Sequence, residues 1–305
     1  MADILVNRVA IIGCGLIGAS WAALCASRGL SVRAFDPAAE SLAALPTVVN
    51  RLRGQLAELR ADAGGEVHLA RTLAEAVADA EIVMECAPER LDLKIGLLME
   101  LDLVAPAGAI IASNTSSLLL SDMTAKCRNK GRVIVAHPFN PPHLMPLVEL
   151  FGTDPVVLDV ADAFFQSLGK VTIRLKREMP GHVANRLGSA LWQEAVHLVA
   201  EGVADVADID KALIHGPAMR WAVQGTHLTY HLGGGAGGIR HYLDHLGPSQ
   251  EKRWQSLGRV RLTDEIKAML VAGIESEASG RSIADLEAER DRFLIDLLKL
   301  RGHVA

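Results

Sequence analysis

Short apolar runs alternate with longer segments of helical period through the first 180 residues. Residues 9–12 are uniformly apolar, as in a strand covered on both faces, and 16–28 read as a helix stopped at Gly29. Residues 31–35 alternate and predict a second strand. The stretch 37–66 predicts a pair of helices broken near Pro46, because proline lacks the N–H that an interior turn needs. There follow a helix over 73–80 with Thr72 as N-cap, a strand over 81–86, a helix over 91–103 and a strand over 109–113. Further strands are expected at 133–136, 148–151 and 171–175, with a helix over 157–168. Strands alternating with helices imply a mostly parallel sheet. After Met179-Pro180-Gly181 the strand pattern stops. Helices fit 182–202, 208–215, 263–278 and 282–300, with Asp205, Asp208, Thr263 and Ser282 as caps. The expected fold is an α/β, doubly wound N-terminal domain over 1–180 and an all-α C-terminal domain over 181–305.

Composition narrows the picture. A chain of 305 residues that is 50% hydrophobic can fill two packed domains. A formal net charge of -5 argues against a nucleic-acid partner. No apolar run is long enough for a membrane span, and the first residues lead into a strand with no signal-peptide pattern. Cys14, Cys25, Cys86 and Cys127 are scattered through apolar or helical contexts and read as reduced thiols, so a cytoplasmic setting is expected. His227/His231 and His241/His245 have the spacing of helical metal ligands, but no cysteine cluster accompanies them and no metal is expected. The glycine run 233–238 fits a flexible turn or a close helix contact better than a phosphate cradle.

The strand at 9–12 runs straight into Gly13-Cys14-Gly15-Leu16-Ile17-Gly18, which opens a helix. That context makes the loop a Rossmann-type dinucleotide fingerprint: Gly13 for the tight turn, Gly15 for close approach of backbone to a pyrophosphate, Gly18 for helix–strand packing. The helix N-terminus, including Leu16 and Ile17, presents free N–H groups to phosphate. Asp36 ends the next strand, where a carboxylate binds the ribose 2′-hydroxyl and repels a 2′-phosphate, so NAD is favoured over NADP. Arg33 is the nearby cation that argues the other way.

His137 closes the strand that starts at 133, and Glu149 interrupts the apolar run Leu147-Val148-Glu149-Leu150-Phe151. A carboxylate among apolar neighbours needs a partner. Histidine is suited to be a general base near neutrality. The spacing alone fits a satisfied core histidine with an edge glutamate equally well.

Three further motifs follow the glycine loop in order: Ala112-Ser-Asn-Thr-Ser-Ser-Leu118, His137-Pro-Phe-Asn-Pro-Pro-His-Leu-Met-Pro-Leu-Val-Glu149 and Pro180-Gly-His-Val-Ala-Asn-Arg-Leu187. Together they resemble the successive signatures of the 3-hydroxyacyl-CoA dehydrogenase family, over essentially the whole chain. The resemblance implies NAD-dependent oxidation of a 3-hydroxyl to a 3-keto group. It implies His137 as base, Glu149 as its orienting partner, Ser116 as donor to the substrate oxygen, and Asn185 as a group holding substrate and histidine. Glu89 and Lys94 match the family's cofactor-side pair, and Asn114 is placed with them. It also implies a homodimer formed through the helical domain. Read singly, Ser116 fits a helix cap, Asn185 a polar helix position and Lys94 a solvated face.

Where acyl-CoA members carry Tyr-Pro-Met-Gly-Pro, this chain has Gly216-Pro-Ala-Met-Arg220-Trp221. That resembles the branch acting on free 3-hydroxy acids, the L-carnitine dehydrogenases and the L-gulonate 3-dehydrogenases (lambda-crystallin), and the first of these most. A guanidinium fork at Arg220 suits a free carboxylate. Trp221, Tyr230 and Phe139 are candidate aromatic faces for a trimethylammonium group. His143 and His227 stand where the carnitine enzymes tend to have Tyr and Phe, and imidazoles there would suit another polar tail. L-gulonate or another free acid, an acyl-CoA thioester, and a crystallin-like protein without turnover are therefore the alternatives. A hydroxy acid dehydrogenase using a lysine base is disfavoured, since 182–204 contains no lysine.

Overall fold

The computed structural model describes residues 6–302; the outer ends of the two expected domains, 1–5 and 303–305, lie outside the described residues. The chain opens with β1 (Arg8–Ile12), α1 (Leu16–Ser27), β2 (Ser31–Phe35), α2 (Ala39–Ala57), β3 (Val67–Leu69) and α3 (Leu73–Val77). It continues through β4 (Ile82–Glu85), α4 (Leu91–Val104), β5 (Ile110–Ser113), α5 (Leu120–Met123), β6 (Val133–Pro138), β7 (Leu147–Phe151), α6 (Pro155–Ser167) and β8 (Val171–Arg174). Helices follow: α7 (Ala184–Ala200), α8 (Val206–His215), α9 (Pro217–Trp221), α10 (Thr226–Gly233), α11 (Gly238–Ser256), α12 (Asp264–Ala278) and α13 (Ile283–Leu300).

All eight strands form one sheet in the order β3-β2-β1-β4-β5-β6-β7-β8. Every pairing is parallel except β6–β7. The uniform apolarity of β1 now has its reason. Val9 and Ile11 pack with Trp21, Leu24 and Phe165 on one face, while Ala10 and Ile12 pack with Val83, Leu98 and Ile111 on the other. The β1–β2 crossover helix α1 packs on one face and the β3–β4 crossover helix α3 on the other, so a crevice opens at the carboxyl end of β1 between β2 and β4.

Two expectations change. Residues 39–57 are one helix with Pro46 inside it, not a pair. Leu45, Val49, Leu52 and Leu56 recur once per turn and are buried, and that stripe outweighs the single hydrogen bond proline forfeits. The edge strand β3 was not foreseen; Val67-His-Leu69 is too short for its alternation to register as a strand period, and its last two residues are exposed. Thr72 and Thr263 do cap their helices, accepting from Glu75 N–H and Ile266 N–H, and Ser282 accepts from Asp285 N–H. Asp205 sits at the N-cap of α8 without a side-chain capping bond.

Internal contacts divide the chain into two compact units: residues up to Arg186 with those from Ala288 on, and Leu187–Glu287. This allots the last helix differently from a single cut after 180, because Ile295 and Leu298 are buried against Leu59 and Leu144. The second unit is helical, with Val199, Val206 and Ile209 at its small core and Leu213 and Leu270 beside them. The glycine run makes a close contact between α10 and α11: His231 Nδ1 accepts from Ile239 N–H at 3.1 Å, and a Cβ on Gly238 would stand 2.5 Å from the imidazole. His245 Nδ1 bonds to His241 O at 3.1 Å. Among the described residues no group of three His, Cys, Asp or Glu side chains could hold a metal ion, and no helix is long and apolar enough to cross a membrane.

Candidate active site

The glycine loop is shaped for a dinucleotide. Gly13 has φ +99 and a Cβ there would meet Cys86 O at 2.6 Å; a Cβ on Gly18 would stand 1.8 Å from Gly13 O. Around Gly15 nothing lies within 4 Å of a Cβ position, which leaves open space before the N-terminus of α1. A cavity of about 950 Å³ runs from this loop past Phe35, Asp36, Ser41, Arg71 and Leu97. Asp36 ties the loop to β2, Oδ2 accepting from Cys14 N–H at 2.7 Å and Oδ1 from Ala38 N–H at 2.8 Å. Each oxygen keeps a lone pair for a ribose hydroxyl. Arg33, the residue that argued for a 2′-phosphate, is engaged by Asp79 at 2.7 Å. The donor set and the cavity therefore fit NAD. The four thiols are free; burial, helped by Asp36, pushes Cys14 up to about 12.

A second cavity, about 530 Å³, adjoins the first at Gly15 and Pro88 and is lined by Leu16, Ile17, Glu89, Asn114, Ser116, His137, Phe139, Asn140 and Asn185. His137 and Pro138 reach it from the end of β6, whose antiparallel register with β7 sets His137 directly opposite Glu149. Glu149 is wholly buried and its Oε2 lies 2.8 Å from His137 Nδ1. A carboxylate only accepts, so Nδ1 carries the proton and the bare Nε2 is the nitrogen left for the cleft. Burial pushes the Glu149 carboxyl up, but His137 and the N–H groups of Ala184 and Val183 outweigh it and hold the group below the usual carboxylate range. Asn185, on the first turn of α7, donates from Nδ2 to Ser116 O at 3.2 Å and lies 3.5 Å from His137 Nε2. Phe139 meets the His137 ring edge-on, centroids 5.5 Å apart.

Glu89 gathers the turn after β5. Its Oε1 accepts from Thr115 Oγ1 (2.7 Å), Ser116 N–H (2.9 Å) and Ser117 N–H (2.8 Å), with Ser116 Oγ at 3.2 Å. Burial raises its carboxyl, and Thr115, Lys94 and Ser117 together bring it below the usual range. Asn114 Oδ1 accepts from Trp21 Nε1–H at 2.6 Å.

Two expected site residues lie elsewhere. Lys94 is 1% exposed and lines neither cavity; it donates to Glu85 Oε1 (2.7 Å), Glu85 Oε2 (2.9 Å) and Ala87 O (3.1 Å), and stays 3.9 Å from Glu89. His143 is 4% exposed and away from the cleft: its Nε2 meets Gln55 Oε1 at 2.8 Å, and Gln55 Nε2 reaches Asp291 of α13 at 3.1 Å. The loop 139–146 turns His143 under α2 while Phe139 faces His137, so one motif serves two sides of the sheet. Arg220, Trp221 and Tyr230 belong to the second unit, on α9 and α10; all three are exposed, and Tyr230 packs on Tyr242 with centroids 5.0 Å apart. Glu85 and His182 were missed. Glu85 carried the same signal as Glu149, an acid in an apolar strand (Ile82-Val-Met-Glu85). His182 carried none beyond its place inside the third motif.

The 3-hydroxyacyl-CoA dehydrogenase NAD-binding domain model matches residues 8–179, and the C-terminal domain model of the same family matches 181–267. The L-carnitine dehydrogenase of Streptomyces griseus subsp. griseus is 47% identical over 98% of this chain and 91% of its own. That of Streptomyces coelicolor is 45% identical over 98% and 96%. Among solved structures, the 5-formyl-3-hydroxy-2-methylpyridine 4-carboxylic acid 5-dehydrogenase, described as an NAD+-dependent dismutase, superposes with a TM-score of 0.79 at 26% identity, covering 97% of this chain and 98% of the other. With a dinucleotide cradle, a buried His–Glu pair and both domain models in register, the chain belongs to the 3-hydroxyacyl-CoA dehydrogenase family and is an NAD-dependent 3-hydroxy acid dehydrogenase.

Proposed function

We propose that the chain oxidises the C3 hydroxyl of L-carnitine to the 3-keto acid. The observation that carries the chemistry is His137 itself, with Nδ1–H on buried Glu149 and Nε2 left to a cleft that also holds Ser116 and Asn185. NAD+ bound along Gly13, Gly15 and Asp36 supplies the hydride acceptor. His137 Nε2 takes the hydroxyl proton, and Glu149 fixes the tautomer and stabilises the imidazolium. Ser116 Oγ and Asn185 Nδ2 orient the substrate oxygen against Nε2. A positioned base of this kind contributes about 10²–10⁴-fold in rate.

The choice of L-carnitine is supported by near-full-length relatives of that name. Phe139 offers one aromatic edge in the cleft. In the second unit Arg220 is this reading's candidate for the carboxylate, and Trp221 and Tyr230 for the trimethylammonium; each is exposed. With His143 turned away from the cleft, one reason for favouring a polyol such as L-gulonate falls away. We also read the chain as a cytoplasmic homodimer joined through its helical part. The exposed apolar side chains there, Trp192 and Trp254 at 56% and 61% among them, support an interface, and the free thiols support a reducing setting.

The test is NADH formation at mildly alkaline pH from L-carnitine, L-gulonate, L-3-hydroxybutyrate and its CoA thioester. L-carnitine should show the highest kcat/KM. Preference for another free acid refutes carnitine but keeps the chemistry; activity on the thioester alone refutes the free-acid reading.

A further inference from the structure

The Thr115–Ser116 peptide unit is clamped at both ends. Its N–H, on Ser116, points at Glu89 Oε1. Its carbonyl, on Thr115, faces the Nε2 of His182 at 3.1 Å. A peptide unit is rigid and planar, so two opposed hydrogen bonds fix its tilt and with it the direction in which Ser116 leaves the turn. His182 reaches this carbonyl from a left-handed backbone (φ +49) just after Gly181 (φ +73), a conformation histidine adopts at a cost. The same turn aims Val183 and Ala184 N–H at Glu149 Oε1. Segment 181–185 thus ties the Ser116 turn to the His137–Glu149 pair.

His182 is 3% exposed, and its ring lies 5.1 Å from that of His137. A carbonyl only accepts, so Nε2 carries the proton; Nδ1 is bare, buried and without a partner among the described residues. The titratable groups around the ring are His137 on β6, Glu149 on β7 and Glu89 from the β4–α4 loop. Burial holds His182 below the usual histidine range, so it stays a neutral donor beside the base.

We propose that His182 is a positioning residue for proton transfer: its Nε2–H, by holding the Thr115 carbonyl, keeps Ser116 aligned with His137. This rests on the roles assigned above to Ser116 and His137. Glutamine carries an amide nitrogen at about the reach of imidazole Nε2, whereas leucine fills the space without a donor. With L-carnitine and NAD+, His182→Leu should lose roughly ten- to a hundredfold in kcat, the scale of a misplaced catalytic group, with KM for NAD+ unchanged. His182→Gln should recover most of that loss. In a Ser116→Ala background, His182→Leu should cost far less than it does alone, because the two act as one unit. Equal losses in the Gln and Leu variants, or full additivity with Ser116→Ala, overturn the proposal. A readout independent of turnover is hydrogen exchange at the Ser116 amide, which should quicken in the Leu variant and stay slow in the Gln variant. Unchanged exchange in the Leu variant refutes the clamp even where L-carnitine proves to be the wrong acid.

Discussion

Two carboxylates, Glu85 and Glu149, are wholly buried on the sheet, each with a nitrogen base within hydrogen-bond distance. At Glu85 the partner is Lys94, and its three N–H groups are all consumed, two by Glu85 and one by Ala87 O. At Glu149 the partner is His137, whose Nδ1 is consumed while its Nε2 has only a long 3.5 Å approach from Asn185 Nδ2. An ammonium is a single point of charge, whereas an imidazole has two separate nitrogens, one to anchor and one to react. The first pair is closed and holds up the loop that leads to Glu89. The second is open on one side and can exchange a proton with a ligand.

The contrast breaks most visibly at His137. His137→Asn should cut turnover by about 10²–10⁴-fold while NAD+ titrations stay near normal; retained turnover would remove the distinction altogether. Lys94→Met should act on stability, since a buried carboxylate stripped of its cation costs about 3–5 kcal/mol. Urea unfolding would read it, and a loss below about 1 kcal/mol would show that the pair contributes no more than an exposed ion pair. Ser113 Oγ also donates to Glu85, so Ser113→Ala should cost roughly 1.5–3 kcal/mol and leave kcat untouched; a fall in kcat would mean that the closed pair reaches the chemistry. The smallest effect is a pH trend. Glu149 sits lower in the fold than its ordinary 4.5. The stability it contributes is therefore complete above the unfolded value and is lost as pH falls through the folded one. The difference in unfolding free energy between wild type and Glu149→Gln should thus shrink on acidification below about 4.5, and a constant difference would deny the shift.

The legible part of the sequence was the part governed by local pattern. The strand–glycine–helix entry, the alternation of elements and the acid inside an apolar strand each follow from period and residue chemistry; in the fold Gly13 and Asp36 lie just past the carboxyl ends of β1 and β2, and His137 and Glu149 face each other across β6 and β7. What stayed hidden depends on partners distant in sequence. His143 and Phe139 sit four residues apart in one motif, yet tertiary packing sends one under α2 and the other to the cleft. Lys94 reads as a surface lysine on a helix until Glu85 is seen beneath it. Pro46 reads as a break until the buried stripe on either side of it is set against α1.

The allotment of α13 has a consequence for synthesis. A ribosome that has delivered residues up to 186 has supplied every strand and the whole cleft, but not Ile295 and Leu298, which cover Leu59 and Leu144. Gln55, held between His143 and Asp291, likewise waits for the last helix. The nucleotide-binding half is therefore finished only when about a hundred residues of the helical part have been spun out between its two instalments. Trimming the C-terminal helix edits the hydrophobic interior of the first unit rather than a dispensable tail.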